Sequence, residues 1–258
     1  MLVFAAIVPS TPLLMPEIAK EHESALAGSR AALQALSSRL REQSPDALVV
    51  ISSVINVPRI SIGVRNIWRG SLKQFGVLTD WRWHGSVAIA QKLLSCQLTI
   101  PFGAVTEQEL DHKSIVALSV VLKEMPQVPI IPLIPSFTQE PAQQVRMSAA
   151  LSDVAQSLPQ RLGLIAVGDT SHHLSEAAPG GYRAEGAVFD HELMLGLKKK
   201  AVGKLLDLSE VYPETRKETG LLSFLPLVAI IAEMHTSWKL YAYEAPFGIG
   251  YLTAEYTI

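Results

Sequence analysis

The sequence predicts an α/β fold, a single three-layer αβα sandwich around a mixed, mostly central sheet. Three observations predict it. Apolar, β-branched runs of strand length recur along the 258 residues, segments of helical periodicity lie between them, and no low-complexity linker, charge block or internal repeat divides the chain. Near-continuous apolar strands suit a sheet covered on both faces. The expectation is one domain over residues 1–258.

The first strand is Leu2–Val8, within "MLVFAAIVPSTPLL". That start lacks a basic n-region and a small-residue cleavage site, so it reads as a buried strand rather than a leader. A long helix is expected over Pro16–Arg41, with proline in its first turn, an Ala- and Leu-rich body and a polar face of Glu, His and Arg. The second strand is Ala47–Ser53. Residues 56–80 alternate, punctuated by Gly and Arg, and suit a hairpin or edge strands. Then come a helix at Ser86–Ser95, a strand at Val128–Ile134, a helix at Ala142–Leu158 and a strand at Leu162–Val167. Helices at Ala187–Lys200 and Leu221–Met234 precede a last apolar run, Trp238–Tyr243. The segment "GLLSFLPLVAIIAEM" from Gly220 is too short to span a bilayer and contains Pro226, so it reads as a buried helix.

A formal net charge of -2 carries no electrostatic footprint for nucleic acid. The one basic run, Lys198, Lys199 and Lys200, reads as a solvated helix end whose cations suit the C-terminal dipole. Cys96 is the only cysteine, which excludes a disulfide framework and a thiolate zinc site. A reducing cytoplasm is the expected compartment, and no membrane partner is expected.

Three polar loops follow apolar strands: "PST" from Pro9, "SSVIN" from Ser52 and "GDTSHH" from Gly168. Ligands in such folds sit where strands end in loops, so the three are expected at one edge. The stretch "VGDTSHHLSEAAPGGYRAEGAVFD", Val167–Asp190, is the most functional in character, with Asp169 ahead of two adjacent histidines, then a Pro-Gly-Gly turn, an aromatic and further acidic residues. Imidazole titrates near neutrality, so one of these histidines can serve as a general base or a ligand; a loop histidine bonded to a carboxylate is the plainer reading. Ser171 and His172 are adjacent on extended chain and diverge, and no G-x-S-x-G elbow occurs, which argues against a serine hydrolase. His112 in "LDHKS" adds a third imidazole. His22, His84 and His235 read as surface or satisfied residues, and His191 as part of a helix's first turn. No H-x-x-x-H spacing or Cys/His cluster supports a zinc site. Asp169 and Tyr182 read first as residues that shape the loop.

Six segments in register resemble the class III extradiol ring-cleavage dioxygenases, the group with the β subunit of protocatechuate 4,5-dioxygenase and the Memo-like proteins. "IVPSTPLLMPEI" is similar to the family's proline-rich, histidine-bearing loop, and "PDALVVISSVIN" to its strand ending in Ser-Pro-His. "LDHKSIVAL" resembles its Asp-His-Gly segment, and the Val167–Asp190 stretch its Gly-Asp-Leu-Ser-His loop. "KETGLLS" resembles its Glu-Cys-Gly segment, and "YEAPFGIGYLTAEY" its closing strand. The resemblance implies Fe(II) held by two histidines and a carboxylate, open to a catecholate and dioxygen. It implies His172 and His112 as the catalytic imidazoles, His173 and Tyr182 beside the substrate, and Glu218 as the carboxylate ligand. Thr219 stands where some relatives have cysteine. The two histidine-ligand positions fall on Ser10 and Val54, and no histidine lies between Met1 and Glu21 or between Glu42 and Trp83.

The leading expectation is thus a family member whose standard iron site is lost and whose pocket takes a small aromatic or carboxylate ligand, with Fe(II) bound weakly or not at all. Two alternatives stand beside it: an active ring-cleaving oxygenase with a metal site rebuilt from His172, His173 and Glu218, and a structural or regulatory partner subunit. A homo-oligomer and a hetero-assembly are both left open.

Overall fold

A computed structural model describes residues 1–96, 98–106 and 109–258. The chain runs β1 (Leu2–Val8), α1 (Pro16–Ala19), α2 (Ala27–Gln43), β2 (Ala47–Ile51), β3 (Ser61–Gly63), β4 (Ile67–Ser71), β5 (Asp80–His84), α3 (Val87–Leu94), β6 (Gly103–Val105) and α4 (His112–Val121). It continues β7 (Ile130–Ile134), α5 (Pro141–Ser157), β8 (Leu162–Val167), α6 (Ala184–Lys198), α7 (Val202–Val211), α8 (Pro213–Glu218), α9 (Leu221–Ile231), β9 (Ser237–Glu244) and β10 (Tyr251–Thr257). Among the described residues, eight strands form one mixed sheet in the order β6-β3-β7-β2-β8-β1-β10-β9, and β4 and β5 form a separate hairpin. The inner strands β7, β2, β8 and β1 are mutually parallel.

Side-chain alternation along the parallel strands fills two cores, one on each face of the sheet. Ala5, Ile7, Val49, Ile51, Leu164 and Ala166 pack with α3, α5, α6, α7 and α9. Phe4, Ala6, Val8, Leu48, Val50, Ile165 and Val167 pack with α2, α4 and the hairpin tryptophans Trp68 and Trp83. Two covered faces explain why the strands read as continuous apolar runs. Among the described residues no helix is long and apolar enough to cross a membrane; α9 is buried along its whole length, Pro226 included.

Four expectations need correction. The helix expected over Pro16–Arg41 is interrupted: Lys20 takes φ 48°, a 3-10 segment covers Lys20–Leu26, and α2 starts afresh at Ala27. The restart is capped from far along the chain, because Glu244 accepts the Ser29 N–H at 2.9 Å. His191 lies in the middle of α6, exposed, rather than in its first turn. Lys200 is not merely solvated: its ammonium donates to the Ile231 and Met234 carbonyls at the end of α9. Of residues 56–80, β4 forms the expected hairpin with β5, whereas β3 is not an edge strand but lies inside the main sheet between β6 and β7.

Candidate functional site

Because β1, β2 and β8 are adjacent and parallel, the loops after Val8, Ile51 and Val167 leave the sheet at the same edge. The antiparallel β10 brings Gly250 there as well, where it bonds through its backbone to Thr170 and Ser171. Ser10 and Asp169 join the first and third loops: Asp169 accepts the Ser10 N–H at 2.7 Å and its hydroxyl at 2.9 Å, all buried. Gly168 lets the chain cross Gly220 backbone to backbone, since a Cβ there would collide with the Gly220 Cα; the Gly220 N–H then donates to the Asp169 carbonyl at 2.7 Å.

The second loop continues the alternation of β2. Ser52 donates to Asp111 at 3.0 Å, and Ser53 meets Ser223 of α9 at 3.3 Å. Asp111 is the N-cap of α4, accepting the Ser114 N–H and hydroxyl. That bond seats His112, the first residue of α4, beside the loop. The His112 ring lies 5.6 Å from the ring of Phe75, at the tip of the β4–β5 hairpin. Burial lowers the His112 pKa, Asp111 opposes the shift and Lys113 adds to it. Val54, two residues past Ser52, is half-buried.

The paired histidines part company. Burial lowers the His172 pKa, partly offset by Asp169, and its buried Nε2 has no hydrogen-bond partner among the described residues. His173 is 3% exposed and fully engaged. Its Nδ1 faces the Gly180 and Gly181 carbonyls at 3.2 and 3.1 Å, and its Nε2 faces Glu218 Oε2 at 3.1 Å. Carbonyls only accept, so Nδ1 donates, and the Glu218 contact needs a second proton on the ring or one on the carboxyl. The Pro-Gly-Gly turn is thereby explained: a side chain at Gly180 would strike the His173 ring, and Gly181 has φ 68°.

Of the residues expected at the site, Ser10 is bonded to Asp169, and the Asp169 charge bears on both His112 and His172. Glu218 comes close enough to influence His172 but is bonded to His173. His173 belongs to that contact and to a neighbouring cleft of about 310 Å³ shared with Arg183, Tyr212 and Thr215. Tyr182 is 53% exposed. Sequence reasoning passed over Lys113 and Phe75, and it gave Asp190 no role beyond closing the Val167–Asp190 stretch. Lys113 carried a signal, a cation where the resembled motif has glycine. Asp190 is buried and accepts the Thr170 hydroxyl (2.6 Å), the Tyr243 hydroxyl (2.6 Å) and the Ser171 N–H (2.7 Å). Burial raises its pKa against the pull of those bonds. Phe75 is distant in sequence and offered no pattern.

Comparison with known proteins adds a family. The family described as the catalytic LigB subunit of aromatic ring-opening dioxygenase matches residues 5–253. A protein of Clostridium acetobutylicum is 21% identical over 259 residues, taking in 95% of this chain and 55% of that protein. The chain thus spans about half the length of that relative. The crystal structure of an uncharacterized protein from Escherichia coli K12 superposes with a TM-score of 0.65 at 17% identity, covering 98% of this chain and 99% of that one. This likeness concerns the fold.

Proposed function

The chain belongs to the LigB family of aromatic ring-opening dioxygenase catalytic subunits, the class III extradiol type, and from that premise we propose a member that keeps the pocket without the standard iron chemistry. The family generally relies on Fe(II), and the resemblance assigns its ligands to Ser10, Val54 and Glu218. These residues do not fit the group. Valine has no donor atom, a neutral serine hydroxyl is a poor ligand for Fe(II), and the Ser10 hydroxyl already donates to Asp169 at 2.9 Å. Glu218 is turned to His173 at 3.1 Å. In His173, Nδ1 donates to two carbonyls and Nε2 faces Glu218 at 3.1 Å, an arrangement a ligating histidine also adopts, so a site rebuilt from His172, His173 and Glu218 fails on the convergence of a third ligand rather than on His173 itself. Among the described residues no group of three or more His, Cys, Asp or Glu side chains converges as a metal site.

The observation that carries the reading is the buried, unpartnered Nε2 of His172, on a loop whose Asp169 bears on both His172 and the half-buried His112. A buried imidazole nitrogen without a partner is costly. Burial holds both rings below the usual histidine pKa, so both are neutral at pH 7 and able to exchange hydrogen bonds with a ligand oxygen. A small aromatic or carboxylate ligand would relieve that cost, in a cytoplasmic protein acting alone, as a homo-oligomer or beside a partner subunit. Thermal-shift screening against catechol, hydroxybenzoates and simple carboxylates, read beside an oxygen-uptake assay with added Fe(II), tests it. The expected result is binding without ring cleavage; catechol cleavage by the unmodified chain would overturn the reading.

A further inference from the structure

We propose that the free edge of β9 is the surface on which two copies of this chain pair, antiparallel about a two-fold axis, so that their sheets join into one. The inference does not depend on the pocket reading.

The main sheet ends unequally. On one side stands β6, three residues long; on the other stands β9, eight residues from Ser237 to Glu244. β10 pairs with one side of β9 along its whole length. Among the described residues no backbone hydrogen bond from another segment reaches the main chain of Ser237–Glu244. Its outer row of N–H and C=O groups is open, and a long open edge templates a further strand. Leu240 is 49% exposed on that edge, and Trp238, Tyr241 and Tyr243 are half-buried. Aromatic and aliphatic side chains along an open edge suit contact with protein.

The charges select a second copy as the occupant. Lys239 lies near the start of β9, exposed, and Glu244 lies at its end. Opposite charges at the two ends of one strand meet when an identical strand runs antiparallel. Pairing Lys239 with the partner's Glu244 sets Leu240 against the partner's Tyr243, and both are favourable cross-strand pairs. In a regular strand positions five apart point to opposite faces and could not meet in this way. Here the register of β9 on β10 slips between Leu240 and Ala242. Lys239 and Glu244 therefore share the face of α2: Lys239 pairs in the ladder with Glu255, which Arg39 of α2 contacts, and Glu244 accepts the Ser29 N–H. Leu240 and Tyr243 share the other face, where Tyr243 donates to Asp190 of α6 and the ladder partner of Leu240, Ala254, packs in the core.

α2 obeys the same axis. Gly28 and Ser29 stand at the level of Glu244, and Arg39 at the level of Lys239. The helix from Gly28 to Arg39 rises about 16 Å, and the strand from Lys239 to Glu244 advances about the same distance. One two-fold axis thus bisects both, and it brings the exposed Gly28 level with the partner's Arg39. Such a pair uses both long edges and leaves only the short β6 at each end, so assembly closes at two copies.

Sedimentation velocity of the full chain at micromolar concentration, with hydrogen exchange on the same samples, tests the proposal. The expected result is a species of twice the chain's mass, in which the amides of Ser237–Glu244 exchange more slowly in concentrated than in dilute solution. Leu240→Lys and Lys239→Glu each act twice in a two-fold pair and should each weaken it about tenfold or more, while Lys239→Met should weaken it less. Should a variant fail to fold, the exchange pattern of the unmodified chain decides alone. A chain that stays monomeric at these concentrations would overturn the proposal. So would a dimer whose protection lies outside β9, or one that Leu240→Lys and Lys239→Glu, both folded, leave intact.

Discussion

Within one loop, Thr170 and Ser171 hang from Asp190, which accepts two hydroxyls and a backbone N–H, whereas the next residue, His172, buries a ring nitrogen that meets nothing. The first region is closed on itself, each polar atom answering another. The second is open in hydrogen bonding although buried in space. Folding alone has no use for the second arrangement, because an unmet buried donor or acceptor costs about 1–3 kcal/mol. The difference separates the part of the loop that is scaffold from the part kept for something the chain does not itself contain.

That comparison breaks first at its closed end. Asp190→Ala strands the Thr170 and Tyr243 hydroxyls and the Ser171 N–H, and should cost about 3–5 kcal/mol in urea unfolding. A loss below about 1 kcal/mol would show that the network relaxes freely and is no scaffold. Gly168→Ala forces the crossing at Gly220 apart and should cost about 1–3 kcal/mol, as overpacking does. Ser10→Ala removes one of the two hydrogen bonds from Ser10 to Asp169 and should cost about 1 kcal/mol.

At the open end the expected sign changes. His172→Ala should leave stability within about 0.5 kcal/mol of the unmodified chain, or improve it, while a ligand found by screening loses about 1–3 kcal/mol of affinity. A large stability loss with unchanged ligand affinity would make His172 scaffold after all.

The smallest effect is the pH dependence. Folding depresses the pKa of His112 and His172 below 6.5, chiefly by burial. The unfolded chain therefore binds more protons just below pH 6.5, and stability from these residues is lost as pH falls from 6.5 toward their folded values. His112→Gln with His172→Gln should flatten that slope in unfolding curves recorded between pH 7 and pH 5. Asp190 works oppositely: its pKa is raised above 3.8, so its contribution grows as pH falls toward that value.

Strands whose two faces are both covered were legible without a partner, because their apolar runs are continuous; β1 and β8 have the bounds read from sequence. The convergence of the Ser10, Ser52 and Gly168 loops was legible too, since parallel strands feed loops to one edge. The break before α2 was not, because the carboxylate that caps it comes from Glu244 on β9. Nor could adjacency distinguish His172 from His173. Their difference rests on the turn at Gly180 and Gly181 and on Glu218 at the end of α8, all of them brought in by tertiary packing. Phe75 reaches His112 across a hairpin whose pairing with its own partner strand reveals nothing about what its tip covers.

The central claim is that the side chains at the family's ligand positions no longer make an iron site, and anaerobic Fe(II) titration followed by calorimetry tests it most directly. The unmodified chain is predicted to take up no stoichiometric Fe(II) at micromolar concentration, either single change, Ser10→His or Val54→His, to do little, and the two together to raise the affinity substantially. Tight, stoichiometric Fe(II) binding by the unmodified chain would contradict the account.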